Sequence, residues 1–187
     1  MAKLFVRRKP NDYVSHFALG YFYMQTDRPT EAIPAFEAAV RLRPEELTSL
    51  INLVIVSDSA GNDAKAVEWA LFAMQHIERH LRLHPDDEGM LVQYALLLSL
   101  AGKAEETRAL IPRLQCATDG STLYNAACIL VRVGEHLAGI RLFRQSIAAG
   151  FTNLRLLRDW LDDDMVSHVP HEELEEAQRM IDALCES

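Results

Sequence analysis

Three histidines, His76, His80 and His84, recur at every fourth residue. On a helix this spacing puts the imidazoles on one face, and an i, i+4 pair of them can hold a transition metal. Nothing nearby completes such a site: no cysteine is close in sequence, and Glu78 points to a different face. The expectation is a solvated polar stripe, with the three histidines as weak metal candidates only and no cofactor. His168 and His171 lack the His-Glu-x-x-His spacing and read as loop residues. Cys116, Cys128 and Cys185 are too few and too irregularly spaced for a closed disulfide set or a paired metal site, which suits a reducing compartment. A catalytic thiol needs an activating base and an oxyanion donor, and nothing positions them at Cys128, which is expected to be a small core residue. Asp162-Asp163-Asp164 has neither the glycine nor the closing glutamate of a calcium loop. No glycine-rich phosphate cradle is present. No enzyme activity is expected.

The 187 residues, 49% hydrophobic and 25% charged, suffice for one compact domain or one short repeat array. No apolar run reaches the ~18 residues of a membrane span. The first ten residues place basic side chains after the apolar ones and form no signal-peptide core, so a cytoplasmic location is expected. With 19 Lys and Arg against 27 Asp and Glu, the net charge of -8 repels phosphate backbones, and nucleic acid is not an expected partner. Charge is segregated at the ends: Lys3, Arg7, Arg8 and Lys9 at the start, and from Asp162 onward nine acids against Arg179. These read as solvated termini, with electrostatic contact between termini or chains as the alternative.

The chain repeats. From Tyr13 to Pro44 come Leu19-Gly20, Tyr23, Ala32, Phe36, Ala39 and Pro44. Small residues stand where two helices of a hairpin would cross closely, and large aromatics fill the space beside the crossings. Later units begin at Leu47, Glu88 and Gly120. The second needs a longer second helix, running through Ile77, Leu81 and Leu83. Gly61, Gly102 and Gly134 suit tight turns between paired helices, and Asp27 and Asp63 suit the N-caps that follow. Pro34 is tolerable near a helix start, while Pro112 should kink its helix. A tail follows: a short helix over 152–161, a loop, and a helix from Pro170 to Leu184. Its face of Leu174, Ala177, Ile181 and Leu184 can cap the array.

This pattern resembles the tetratricopeptide repeat (TPR), over roughly residues 13 to 160. The resemblance implies an all-α fold, a right-handed superhelix (an α–α solenoid) of about four helix–turn–helix units with C-terminal capping helices, making one domain. The segments Glu78–Asp87, Leu123–Cys128 and Ala148–Phe151, with the Leu-Arg-Asp run near Trp160, are similar to the TPR tails of bacterial class III nucleotidyl cyclases and signalling kinases. That implies a bacterial protein with a sensory or scaffolding role, of which only the binding part carries over.

In such arrays the first helix of each unit lines a groove. The groove positions here include Val14, Phe17, Tyr21 and Met24; Ile51, Asn52 and Ile55; Val92, Gln93 and Leu96; and Tyr124 and Asn125. The family's carboxylate clamp would need basic and amide residues at Phe17, Tyr21, Gly89 and Gln93, and only Asn52 fits. The groove is instead apolar, and large apolar patches generally mark contacts. Covering each of Phe17, Tyr21, Ile51, Ile55 and Leu96 in full would contribute roughly 1.5–3 kcal/mol. The expected function is a non-catalytic scaffold or adaptor that holds an apolar peptide or helix of a partner protein. The alternatives are a homo-oligomeric structural module, internal coverage by the chain's own N-terminus, and a small chaperone for hydrophobic exported proteins.

Overall fold

The computed structural model describes residues 10–161, 166 and 168–186. The basic cluster Lys3, Arg7, Arg8 and Lys9 and the triplet Asp162, Asp163 and Asp164 lie outside them. The described residues form helices and no strand: α1 Tyr13–Gln25, α2 Pro29–Leu42, α3 Leu47–Ser59, α4 Asp63–Leu83, α5 Glu88–Leu100, α6 Ala104–Ala109, α7 Ile111–Leu114, α8 Gly120–Arg132, α9 His136–Ala148, α10 Leu154–Leu161 and α11 His171–Glu186. Contacts group the chain into two compact units, Met1–Pro85 with Leu100–Gly102, and Asp86–Ser99 with Lys103–Ser187.

The first helix of each repeat (α1, α3, α5, α8) starts with the same device. An acidic residue stands one position ahead and accepts a hydrogen bond from a backbone N–H in the first turn. Asp12 accepts from Ser15, Glu46 from Ser49 and Asp87 from Met90, each at 2.9 Å, and Asp119 accepts from Thr122 at 2.7 Å. The Thr122 hydroxyl and N–H together hold the Asp119 carboxyl below the usual carboxylate range.

The same helices also stop alike. The N–H of Arg28, Asn62, Lys103 and Glu135 reaches back to the carbonyl of Tyr23, Ser57, Leu98 and Leu130, closing a Schellman turn. The residue before each donor is left-handed: Asp27 (φ 54), Gly61 (φ 69), Gly102 (φ 72) and Gly134 (φ 85). Asp27 is therefore the turn residue and not the N-cap expected of it. Asp63 is likewise inside α4 and not its cap. The second helices α2, α4, α6 and α9 carry no side-chain cap, because the tight turn leads straight into them.

In the first unit α3 touches α1, α2 and α4. This central place buries Leu50, Leu53 and Val54 completely. Gly20 lets α1 approach the fully buried Phe36 of α2. In the second unit an aromatic series ties the tail to the last hairpin: Phe151 stacks on Tyr124 at 4.5 Å, Tyr124 lies 6.3 Å from Phe143, and Phe143 stacks on Trp160 at 4.2 Å. The capping helix α11 buries Ala177 and Ile181 completely, and Arg144 of α9 pairs with its Glu173 (2.7 Å) and Glu176. The bend expected from Pro112 is a break at Leu110, which separates α6 from α7 and leaves Pro112 in the first turn of α7.

Candidate partner-binding site

The helix α1 reads Tyr-Val-Ser-His-Phe-Ala-Leu-Gly-Tyr-Phe-Tyr-Met-Gln and contains no Asp, Glu, Lys or Arg. Its buried side is made by Gly20 and Tyr23, with Ser15 drawn onto the Asp12 cap. The remaining surface leaves Val14 61%, Tyr21 46% and Phe22 49% exposed.

Along one side of α1 the rings of Tyr13, Phe17 and Tyr21 stack in file, with centroids 6.0 Å and 6.2 Å apart. This is the i, i+4, i+8 row of a helix, where side chains stand one turn above another. Phe17 is fixed from below by the edge of Phe36 at 5.9 Å. Tyr13 is anchored at the other end: its hydroxyl donates to Glu46 at 2.7 Å and shares a 3.0 Å hydrogen bond with Ser49, while Arg43 lies over its ring at 4.8 Å. Burial pushes the Tyr13 hydroxyl up from its ordinary value, and the Glu46 carboxylate beside it adds to this. Burial also pushes Glu46 up, but the donors from Tyr13, Ser49 and Thr48 outweigh it and hold Glu46 below the usual range. The base of the row is therefore fixed and its tip, Tyr21, is open to solvent.

The groove residues expected from the sequence divide into two sets. Val14, Tyr21 and Asn125 are exposed, and Phe17, Met24, Asn52, Ile55, Gln93 and Leu96 are half-buried. Ile51 (7% exposed), Val92 (2%) and Tyr124 (9%) are buried and offer no free surface, which corrects their expected place on an open face. The causes differ. Ile51 belongs to the central helix α3, which neighbours close on several sides. Val92 belongs to α5, which is apolar nearly all round, as buried helices are. Tyr124 is roofed by the tail, since Phe151 stacks on it and its hydroxyl donates to the Leu156 carbonyl at 3.2 Å. Phe22 and the anchoring role of Tyr13 escaped sequence reasoning. A helix without charge in a chain of net charge -8 was the signal that marked them.

The histidines do not converge. His80 and His84 face each other with centroids 4.8 Å apart, but the His76 ring packs edge-on against Phe72 at 5.1 Å. Among the described residues no cluster of three or more His, Cys, Asp or Glu is arranged to hold a metal ion. Cys128 is half-buried, Cys116 donates to the Pro112 carbonyl at 3.3 Å, and Cys185 accepts from Arg158 at 3.2 Å. No helix among the described residues is long and apolar enough to cross a membrane.

The tetratricopeptide-repeat family model matches residues 13–46, the α1–α2 hairpin with the chain leading to α3. The chain has the helical-hairpin fold of tetratricopeptide-repeat proteins. Its TPR fold is shared by solved structures of low sequence identity. The nearly identical TPR-like repeats assigned to a kinesin light chain of Podosopora anserina are 18% identical at a TM-score of 0.54, covering 94% of this chain and 96% of that one. Pseudomonas aeruginosa pilF is 17% identical at a TM-score of 0.51, covering 93% and 84%. Among curated proteins no sequence matches this chain.

Proposed function

We propose that this TPR chain is a non-catalytic interaction module, a scaffold or adaptor, and that an apolar peptide or amphipathic helix of a partner protein docks on the α1 face of the first unit. The observation behind this reading is the aromatic row Tyr13–Phe17–Tyr21, anchored at Glu46 and open at Tyr21. Rigid aromatics lose little rotamer freedom on binding and bury much area, which is why they dominate interface energetics. Met24, half-buried, stands three residues beyond Tyr21 on the same helix and adds apolar surface there. The absence of charge on α1 favours an oily segment over an acidic tail. Cys116, Cys128 and Cys185 form no disulfide, which suits a reducing, cytoplasmic setting.

A peptide library displayed and selected on the wild-type chain tests the reading. Selected peptides should be apolar, and Tyr21→Ala should weaken them by about tenfold or more, about 1.4 kcal/mol or above. Tyr21 is half-exposed, so its truncation should leave the far-UV helical signal intact. Peptides that bind wild type and Tyr21→Ala equally would remove this face from consideration.

A further inference from the structure

Two histidines close α4. The helix has 21 residues against 13 in its partner α3, so about two turns run past the hairpin. Ile77 is the last buried residue of α4; beyond it Glu78, Arg79 and Arg82 are exposed and Leu83 is 74% exposed. His80 and His84 stand one above the other at this end, with ring centroids 4.8 Å apart. The His84 N–H donates to the His80 carbonyl at 2.9 Å, which keeps the two residues one helical turn apart. We propose that this pair binds one divalent transition-metal ion of the zinc class, and that the ion staples the projecting end of α4.

An imidazole nitrogen binds zinc at about 2.0–2.1 Å, which sets the ion about 3.2 Å from each ring centroid. Rings 4.8 Å apart then subtend about 97° at the ion, between the right angle of an octahedral site and the tetrahedral angle. Imidazole suits zinc, copper and nickel, whereas calcium and magnesium take oxygen ligands. The place favours a cation, because the last turn of a helix carries the negative end of its dipole. Arg79 and Arg82 stand on other faces, about 100° and 160° around the helix from His80. His84 is exposed and His80 half-buried, so a hydrated ion can reach both. Among the described residues no third His, Cys, Asp or Glu completes the cluster, so water fills the remaining positions. The other close histidine pair is worse placed. His136 and His168 lie 5.2 Å apart, but His136 opens α9 at the positive end of its dipole, and its Nδ1 is shut off from solvent. His76 packs against Phe72. This inference is separate from the docking of a partner on α1, since it uses a different helix and a different readout.

Calorimetric titration of the untagged full chain with Zn2+ tests it, together with thermal melting and hydrogen exchange. The wild type should take up one equivalent through this pair, with a raised thermal midpoint and slower exchange of the amides at 81–84. His80→Gln and His84→Gln should each weaken that uptake by about tenfold or more, while His76→Gln and His136→Gln leave it unchanged. His84 is exposed, so its substitution should keep the far-UV helical signal intact. A wild type that takes up no Zn2+ below millimolar concentration overturns the proposal. So does uptake that both His80→Gln and His84→Gln leave intact, since its ligands must lie elsewhere. Uptake through the pair without slower exchange at 81–84 overturns the staple, because the ion then holds nothing in place.

Discussion

Phe36 lies so close to Gly20 that a Cβ at position 20 would come within 2.9 Å of three of its ring carbons. Phe36 is completely buried, so its ring can give way only by displacing its neighbours in the core.

Gly20→Ala should therefore destabilise the protein by about 1–3 kcal/mol, the usual cost of overpacking, even though alanine favours a helix by about 1 kcal/mol over glycine. Gly89, also helical, is the control. Its nearest obstacle is an Asp87 side-chain oxygen at 3.5 Å, so Gly89→Ala should be neutral or mildly stabilising. Urea midpoints of the two variants should shift in opposite directions or differ by that margin.

Tyr13→Phe keeps the stacked ring and removes its hydrogen bond to Glu46. A loss of about 0.5–1.5 kcal/mol is expected at neutral pH. Glu46 titrates lower in the folded chain than in the unfolded one, so its contribution is fully present above about pH 4.3 and is lost as the pH falls through the folded value. The stability gap between wild type and Glu46→Gln should therefore be larger at pH 7 than at about pH 3. A gap independent of pH would show that the carboxylate is not held in its charged form by Tyr13, Ser49 and Thr48.

Arg144 joins α9 to Glu173 and Glu176 of the capping helix, and all three side chains are partly exposed. Arg144→Ala should cost about 1 kcal/mol or less, an effect that high salt reproduces in the wild type. Hydrogen exchange should locate it: amides of 171–186 should exchange faster while those of α8 keep their protection. Equal acceleration in both segments would mean that the pair supports the whole unit and not the cap.

Pro34 is exposed in the interior of α2, where it denies Thr30 its helical hydrogen bond. Pro34→Ala should restore the bond and stabilise the chain by about 1–3 kcal/mol, read as a raised thermal midpoint. No gain would mean that the surrounding helices already hold α2 against the loss.

Much of the fold could be read locally. The small-large alternation of Gly20, Ala32, Phe36 and Ala39 implied close-crossing helix pairs, and the left-handed glycines at 61, 102 and 134 implied the turns between them. Both depend on contacts within one hairpin, which a short stretch of sequence encodes. Asp27 was misread because an aspartate before a helix serves equally well as a cap or as a left-handed turn residue, and only the backbone path of the hairpin separates the two.

The site was less legible, for a related reason. Position along a helix tells which way a side chain points, but not what stands in front of it. Phe17 and Tyr21 on α1, Ile51 on α3 and Tyr124 on α8 all occupy groove positions by count. Of these, Ile51 is closed off by the helices around α3 and Tyr124 by the tail that stacks Phe151 on its ring, whereas Tyr21 stays open. The sequence by itself determined the helical pairs, their turns and the uncharged character of α1. Only the tertiary structure decided which apolar side chains remain in water, because burial depends on neighbours that are distant in the chain.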